Sequence, residues 1–244
     1  MNLIVDVGNT FVKFAVFSQN RLNFKQSFEL SHFKERYQHL KKRFPKLKSA
    51  IVSSVGKLPD DHLRLLQKDI DVLLLNHQIE LPFINSYSTP KTLGVDRIAL
   101  VSASVNQFPN HDVLIIDAGT CITYDFISNK NEYLGGAISP GIRLRYKSLN
   151  DFTANLPLLE KSIPENITGN STESSIHSGV VMGVTKELDG VIDNYLLKYP
   201  DLKIILTGGD TEFLGNQLKN SIFANANFLL EGLNFILEFN SSNK

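Results

Sequence analysis

With Cys121 as its single cysteine, the chain can close no internal disulfide, a usage that fits a reducing compartment. Charge of either sign is also lacking in surplus. Lys plus Arg and Asp plus Glu both number 25, so nothing in the balance argues for a nucleic acid or an acidic membrane surface, and small-molecule partners are expected instead. No apolar run reaches membrane-spanning length, and the amino terminus enters its first apolar stretch without the basic segment of a signal peptide. A cytoplasmic protein with no membrane and no nucleic-acid partner is predicted. Neither G-x-x-x-x-G-K-[ST] nor G-x-G-x-x-G occurs, so a P-loop kinase and a dinucleotide dehydrogenase are both unsupported. Cys121 itself follows Thr120 in an apolar stretch, where a thiol without an activating base reads as packing rather than as a nucleophile.

What the sequence does contain is one pattern written twice. A shift of 111 residues lays Leu3-Ile-Val-Asp6-Val-Gly8 over Leu114-Ile-Ile-Asp117-Ala-Gly119, and a second apolar run follows each copy, Val12 to Phe17 and Ile122 to Ile127. Each copy predicts two short strands joined by a glycine turn, with Asp6 and Asp117 at strand ends. A carboxylate there can hold a cation, while the turn's free N–H groups and a threonine hydroxyl can grip phosphate oxygens. The alternative for a single copy is a hairpin whose Asp bonds its own backbone. Duplication in register favours the ligand-binding reading and predicts two related lobes, residues 1–110 and 111–244.

Along the first lobe, a turn at Ser18 to Asn20 leads to a third strand from Arg21 to Leu30, and Ser31 is expected to cap a helix ending near Arg43. Ala50 to Val55 reads as a strand, Asp60 to Asp69 as a helix and Val72 to Leu75 as a strand, giving the order βββαβαβ. The order returns from Leu114 onward. Between the lobes, the Pro-containing stretch Leu81 to Arg97 runs into an apolar helix from about Val95 to Val105. Asp96 suits that helix start, either as a cap or as a functional carboxylate; Arg97 does not suit it and needs another reason, such as gripping a carboxylate.

Further on, Leu134-Gly-Gly-Ala-Ile-Ser-Pro-Gly141 implies a backbone pressed close to something. Ile176, Val180, Val184, Leu188 and Ile192 recur at helical spacing, and Gly179 and Gly183 within that helix predict close packing or a subunit interface. The strand Lys203 to Leu206 then enters Thr207-Gly-Gly-Asp210, a third glycine turn at a strand end where ligands of open α/β sheets usually lie.

Taken in order, Asp6-Val-Gly-Asn-Thr10, Gly94-Val-Asp-Arg97, Asp117-Ala-Gly-Thr120, Gly135 to Gly141 and Gly208-Gly-Asp210 resemble the type III pantothenate kinases over nearly the whole chain. The resemblance implies an α/β fold of two duplicated ribonuclease-H-like lobes with an ATP cleft between them, and phosphorylation of pantothenate to 4'-phosphopantothenate, the first step of coenzyme A biosynthesis. It implies that Asp6, Val7, Gly8, Asn9, Thr10 and Lys13 embrace the ATP phosphates, with Asp6 positioning Mg²⁺, and that Thr120 binds phosphate from the other lobe. Asp117 would help hold a monovalent cation, K⁺ or NH₄⁺. Gly94, Val95, Asp96 and Arg97 would contact pantothenate, Asp96 as proton acceptor and Arg97 near the carboxylate, joined by Tyr87 and by Thr172 across a homodimer interface. Two other readings stay open, a different small-alcohol kinase of the same superfamily and a regulatory accessory protein of the same fold. The second gives no reason for keeping Lys13, Asp96, Arg97 and Asp117 together.

Overall fold

The computed structural model describes residues 1–8, 11–54 and 58–242, the Ser242 side chain excepted. Two compact units are formed, Met1–Pro109 with Phe228–Lys244, and Asn110–Asn227.

In the first unit β1 (Asn2–Val7), β2 (Val12–Ser18) and β3 (Arg21–Phe28) make an antiparallel meander. Gln19 and Asn20, at φ 51° and 58°, form the left-handed two-residue turn that matches the twist of the flanking strands. α1 (Phe33–Arg43), β4 (Ser49–Ser54), α2 (Asp60–Gln67) and β5 (Asp71–Leu74) follow, and the sheet order is β3-β2-β1-β4-β5 with β4 parallel to β1. The βββαβαβ order expected from the sequence is present here. Ser31 is not the cap of α1: a 3₁₀ turn at Leu30–His32 moves the helix start, and the Ser31 hydroxyl lies 3.3 Å from the His32 ring instead. Along β1, β2 and β4 alternate side chains serve two faces, as a pleated strand requires. Leu3, Val5, Val7, Val12, Phe14, Val16, Ala50 and Val52 share one core with Phe33, Tyr37 and Leu40 of α1 and Leu66 of α2. Ile4, Ala15, Phe17 and Ile51, also buried, take the opposite face, together with Asp6, Lys13 and Ser53.

After the short strand β6 (Ile84–Asn85), α3 (Val95–Gln107) covers that second face with the closing helix Phe228–Ser242. The closing helix thus clusters with the first unit, not with residues 111–227 as expected. The reason is its contact with α3. Gly232 lies so close that a Cβ there would be 1.9 Å from the Ala99 carbonyl oxygen; buried Asn234 accepts from Asn2 at 2.9 Å and donates to Asn20 at 3.0 Å; Gln107 donates to Glu231 at 2.6 Å.

The second unit repeats the plan. β7 (Val113–Ala118), β8 (Cys121–Ile127) and β9 (Glu132–Pro140) form the meander, α4 (Ile142–Asp151) follows, and β10 (Lys203–Thr207) returns parallel to β7, with α7 (Thr211–Gly215) and β11 (Phe223–Ala224) closing the order β11-β10-β7-β8-β9. The helix expected through Ile176 and Ile192 is divided: α5 (Thr172–His177), a wide π turn at Ser178–Met182 and α6 (Gly183–Lys198). Its apolar face still packs, with Ile176, Val180, Val184, Leu188 and Ile192 all buried against β7, β8 and β10. Gly179 and Gly183 point elsewhere. Both are exposed, and among the described residues nothing lies within 4 Å of a Cβ built on either, so neither packs closely against another described residue.

Candidate active site

Strand register sets the first cluster. Asp6, next to last in β1, lies opposite Lys13 of β2, and the Lys13 Nζ donates to Asp6 Oδ2 at 3.2 Å. Burial pushes the Asp6 carboxyl above its ordinary range; the Lys13 ammonium pulls it back, and the charge of Asp96 adds to the rise. Asp96, from the start of α3, is thus among the charges that act on Asp6. Val7 is buried beside it in the core, and Gly8 turns the chain, its N–H donating to the Phe11 carbonyl at 3.1 Å. Asn9 and Thr10 lie outside the described residues.

At the start of α3 the sequence left a choice between cap and functional carboxylate for Asp96. The helix begins at Val95, its N-cap position is Gly94, and no side chain caps it. Asp96 instead folds over Gly94: its Oδ1 accepts the Arg97 N–H at 2.9 Å and would lie 2.3 Å from a Cβ on residue 94. Glycine at 94 therefore makes the space in which the carboxylate sits, half-buried and next to the positive end of the helix. Arg97 is buried at 5% exposure, with its guanidinium carbon 5.6 Å from the centre of the Tyr87 ring. Such stacking holds the planar group while leaving its edge to recognise an anion. Tyr87 is fixed in turn by its N–H, which donates to Asn85 Oδ1 at 3.1 Å. In this unit the structure thus brings together Asp6 with Lys13, and Arg97 with Tyr87, while the charge of Asp96 acts on Asp6.

The second unit carries Asp117, Thr120 and Thr172. Asp117, next to last in β7, is in register with Thr123 of β8 and Thr207 of β10. A Cβ on Gly208, which has φ +96°, would come within 2.4 Å of Asp117 Oδ1 and 2.3 Å of the Ala118 carbonyl oxygen; only glycine allows that approach. Asp210, whose N–H donates to Ala118 O at 2.9 Å, is ion-paired with Lys161. Thr120 is exposed in the two-residue turn between β7 and β8, and the turn is braced from beneath. Gly141 donates to the Thr120 carbonyl at 3.0 Å, and a Cβ there would strike the Gly119 and Thr120 oxygens at 2.1 and 2.5 Å. The expectation that the 134–141 glycines meet a close neighbour is met by this turn and by Gly136, where a Cβ would lie 1.6 Å from Tyr124 O.

Arg145 locks the same corner. Its Nε donates to Pro140 O at 2.9 Å, and its guanidinium also reaches Ser139 Oγ at 3.0 Å and Glu187 Oε2 at 2.5 Å. Tyr124 donates to the other Glu187 oxygen at 2.7 Å. Burial opposes the charge on Glu187, but these donors outweigh it and hold the carboxyl below its ordinary range. Sequence reasoning missed Arg145 and Glu187, which are 42 residues apart with no shared motif. Cys121, read as packing, is exposed. Thr172 is the exposed first residue of α5, whose N-cap Ser171 forms a capping box with Ser174. It lines an open groove of about 830 Å³ with Leu149, Leu156, Asn170 and Ile176.

Among the described residues no three His, Cys, Asp or Glu side chains gather as a metal cage. Mg²⁺ keeps most of its waters and takes one or two carboxylates plus substrate phosphates. Asp6, a buried carboxylate whose ionised form burial disfavours, is a group whose charge a bound cation would offset.

Comparison with known proteins adds independent findings. The family model for type III pantothenate kinase matches residues 2–194. A type III pantothenate kinase of Christiangramia forsetii is 55% identical over 99% of this chain and all of its own length, and one from Bacteroides fragilis strain YCH46 is 41% identical over 99% of both. Among solved structures, a protein from Campylobacter jejuni described as a "conserved putative Baf family transcriptional activator" superposes with TM-score 0.64 at 25% identity, covering 98% of this chain and 99% of its own. A glucokinase from an Antarctic psychrotroph shares the fold, with TM-score 0.55 at 13% identity over 98% of both chains.

Proposed function

The chain belongs to the type III pantothenate kinase family, and we propose how its residues divide the work of moving the γ-phosphate of ATP to the primary hydroxyl of pantothenate. The observation that carries the reading is the pairing of Asp96, folded over Gly94 and acting by its charge on Asp6, with the adjacent buried Arg97. Phosphoryl transfer needs chiefly position and charge neutralisation. Lys13 supplies a point charge for the phosphates, and the exposed Thr120 of the second unit is a further candidate phosphate donor. Mg²⁺, when bound at Asp6, shields the phosphate oxygens. Arg97, placed over the Tyr87 ring, grips the pantothenate carboxylate and so orients the substrate. Asp96 accepts the proton of the primary hydroxyl as its oxygen bonds to the γ-phosphorus and ADP leaves. Asp117 holds K⁺ or NH₄⁺.

Family membership also supports a homodimer in which Thr172 reaches the partner's substrate, and the uncovered glycines at 179 and 183 give it a face. Light scattering tests this: Gly183→Leu should weaken association, and an active monomer near 27.3 kDa would end the idea. A regulatory reading draws on the description of the Campylobacter protein. The test between the two is ATP consumption coupled to product detection, with and without pantothenate. Pantothenate-dependent turnover supports the kinase; ATP binding without turnover supports the regulator.

A further inference from the structure

Ser53 is fully buried, and its hydroxyl has no hydrogen-bond partner among the described residues. Water hydrogen-bonds a serine in the unfolded chain, so a buried, unanswered hydroxyl works against folding unless it answers something that arrives later. Its position says what that is. Ser53 pairs in register with Asp6 in the parallel β1–β4 ladder, as Lys13 does from the other side, so Lys13, Asp6 and Ser53 stand abreast on one face of the sheet. It is the face covered by α3, whose Asp96 acts on Asp6. The duplicated unit repeats the arrangement: Asp117 has buried Thr207 in register beside it on β10. A hydroxyl next to the carboxylate at the strand end is therefore a feature of both halves, not an accident of one loop.

We propose that Ser53 is a positioning residue of the cation–phosphate site, its hydroxyl hydrogen-bonding a water of the Mg²⁺ held at Asp6. The inference rests on the assignment of Asp6 to Mg²⁺. A hard cation with few protein ligands keeps its waters, and groups that fix those waters govern how firmly and in what orientation it is held. Lys13 and Ser53 thus flank the carboxylate in opposite roles, the ammonium neutralising it and the hydroxyl orienting the hydrated ion.

The test compares the native chain, Ser53→Ala, Ser53→Thr and Asp6→Asn by Mn²⁺·ADP binding and by thermal melting without metal or nucleotide. Ser53→Ala should melt no lower than the native chain, because it loses an unanswered hydroxyl, yet bind Mn²⁺·ADP about tenfold to a hundredfold more weakly. Ser53→Thr, which keeps the hydroxyl, should recover most of that affinity. Native affinity in Ser53→Ala, or affinity and melting temperature falling together in both Ser53 variants, would overturn the proposal. Asp6→Asn separates the two ideas. Weak binding there with native binding in Ser53→Ala removes Ser53 alone, whereas native binding in Asp6→Asn removes the metal assignment beneath it.

Discussion

Gly232→Ala sets helix propensity against packing, and the structure predicts which wins. In an exposed helix interior the change would stabilise by up to about 1 kcal/mol. Here an added Cβ would stand 1.9 Å from the Ala99 carbonyl oxygen, 2.7 Å from its carbon and 3.2 Å from the Ala103 Cβ. The first distance is roughly 1.6 Å inside the ~3.5 Å at which such atoms attract. Backbone cannot swing aside as a side chain can, so the closing helix must move away from α3. Overpacking of this kind costs ~1–3 kcal/mol and opens the buried interface around Ala99 and Leu233 as well. A net loss of about 2 kcal/mol corresponds to a melting temperature lowered by roughly 4–8 °C in a chain of this size. Because α3 carries Asp96 and Arg97, turnover should fall by more than the folded fraction does. Gly215→Ala is the comparison, since a Cβ there meets only ordinary 3.7 Å contacts with Ile222 and Leu206; it should be neutral or stabilising. Differential scanning calorimetry with parallel kinetics decides. Equal stability gains in both variants would show that helix propensity governs and that the α3 contact is looser than described.

The raised pKa of Asp6 carries a sign. A carboxyl raised on folding contributes stability below the ordinary value of 3.8 and loses it as pH climbs through the folded value, so at neutral pH the ionised group opposes folding. Without metal or nucleotide, Asp6→Asn should melt above the native chain at pH 7, with the gap closing toward pH 3; a lower melting point at pH 7 would mean that the Lys13 pair outweighs burial. Exchanging K⁺ for Na⁺ at constant ionic strength should lower turnover through Asp117, and unchanged turnover would remove that cation from the account.

Much of the fold was legible because duplication and periodicity are both written locally. Leu3 to Gly8 and Leu114 to Gly119 became β1 and β7 with their turns, and Asp6 and Asp117 took matching strand ends. Gly94-Val-Asp-Arg97 was legible as an oddity, an arginine at a helix start, and burial against Tyr87 supplies a physical reason. What escaped depends on distance along the chain. The closing helix was assigned to the wrong half because its amphipathic pattern does not state what it packs on, and Gly232 has meaning only against Ala99. Arg145 with Glu187, and Ser53 beside Asp6, are pairs that only folding makes neighbours. Ser31 was misplaced because the 3₁₀ turn before α1 leaves no mark in the hydrophobic pattern.

The central claim is that Asp96 accepts the substrate's proton, and Asp96→Asn tests it most directly. Asparagine keeps an Oδ1 to accept the Arg97 N–H, now bonded at 2.9 Å, and fits the same space over Gly94, so folding and ATP affinity should persist. Loss of the base should lower kcat about a hundred- to ten-thousand-fold, or roughly 3 to 5 kcal/mol of barrier. Pantothenate phosphorylation and ATP affinity measured together on this variant give the answer: a large fall in kcat with native ATP affinity is predicted, and near-native turnover would contradict the account.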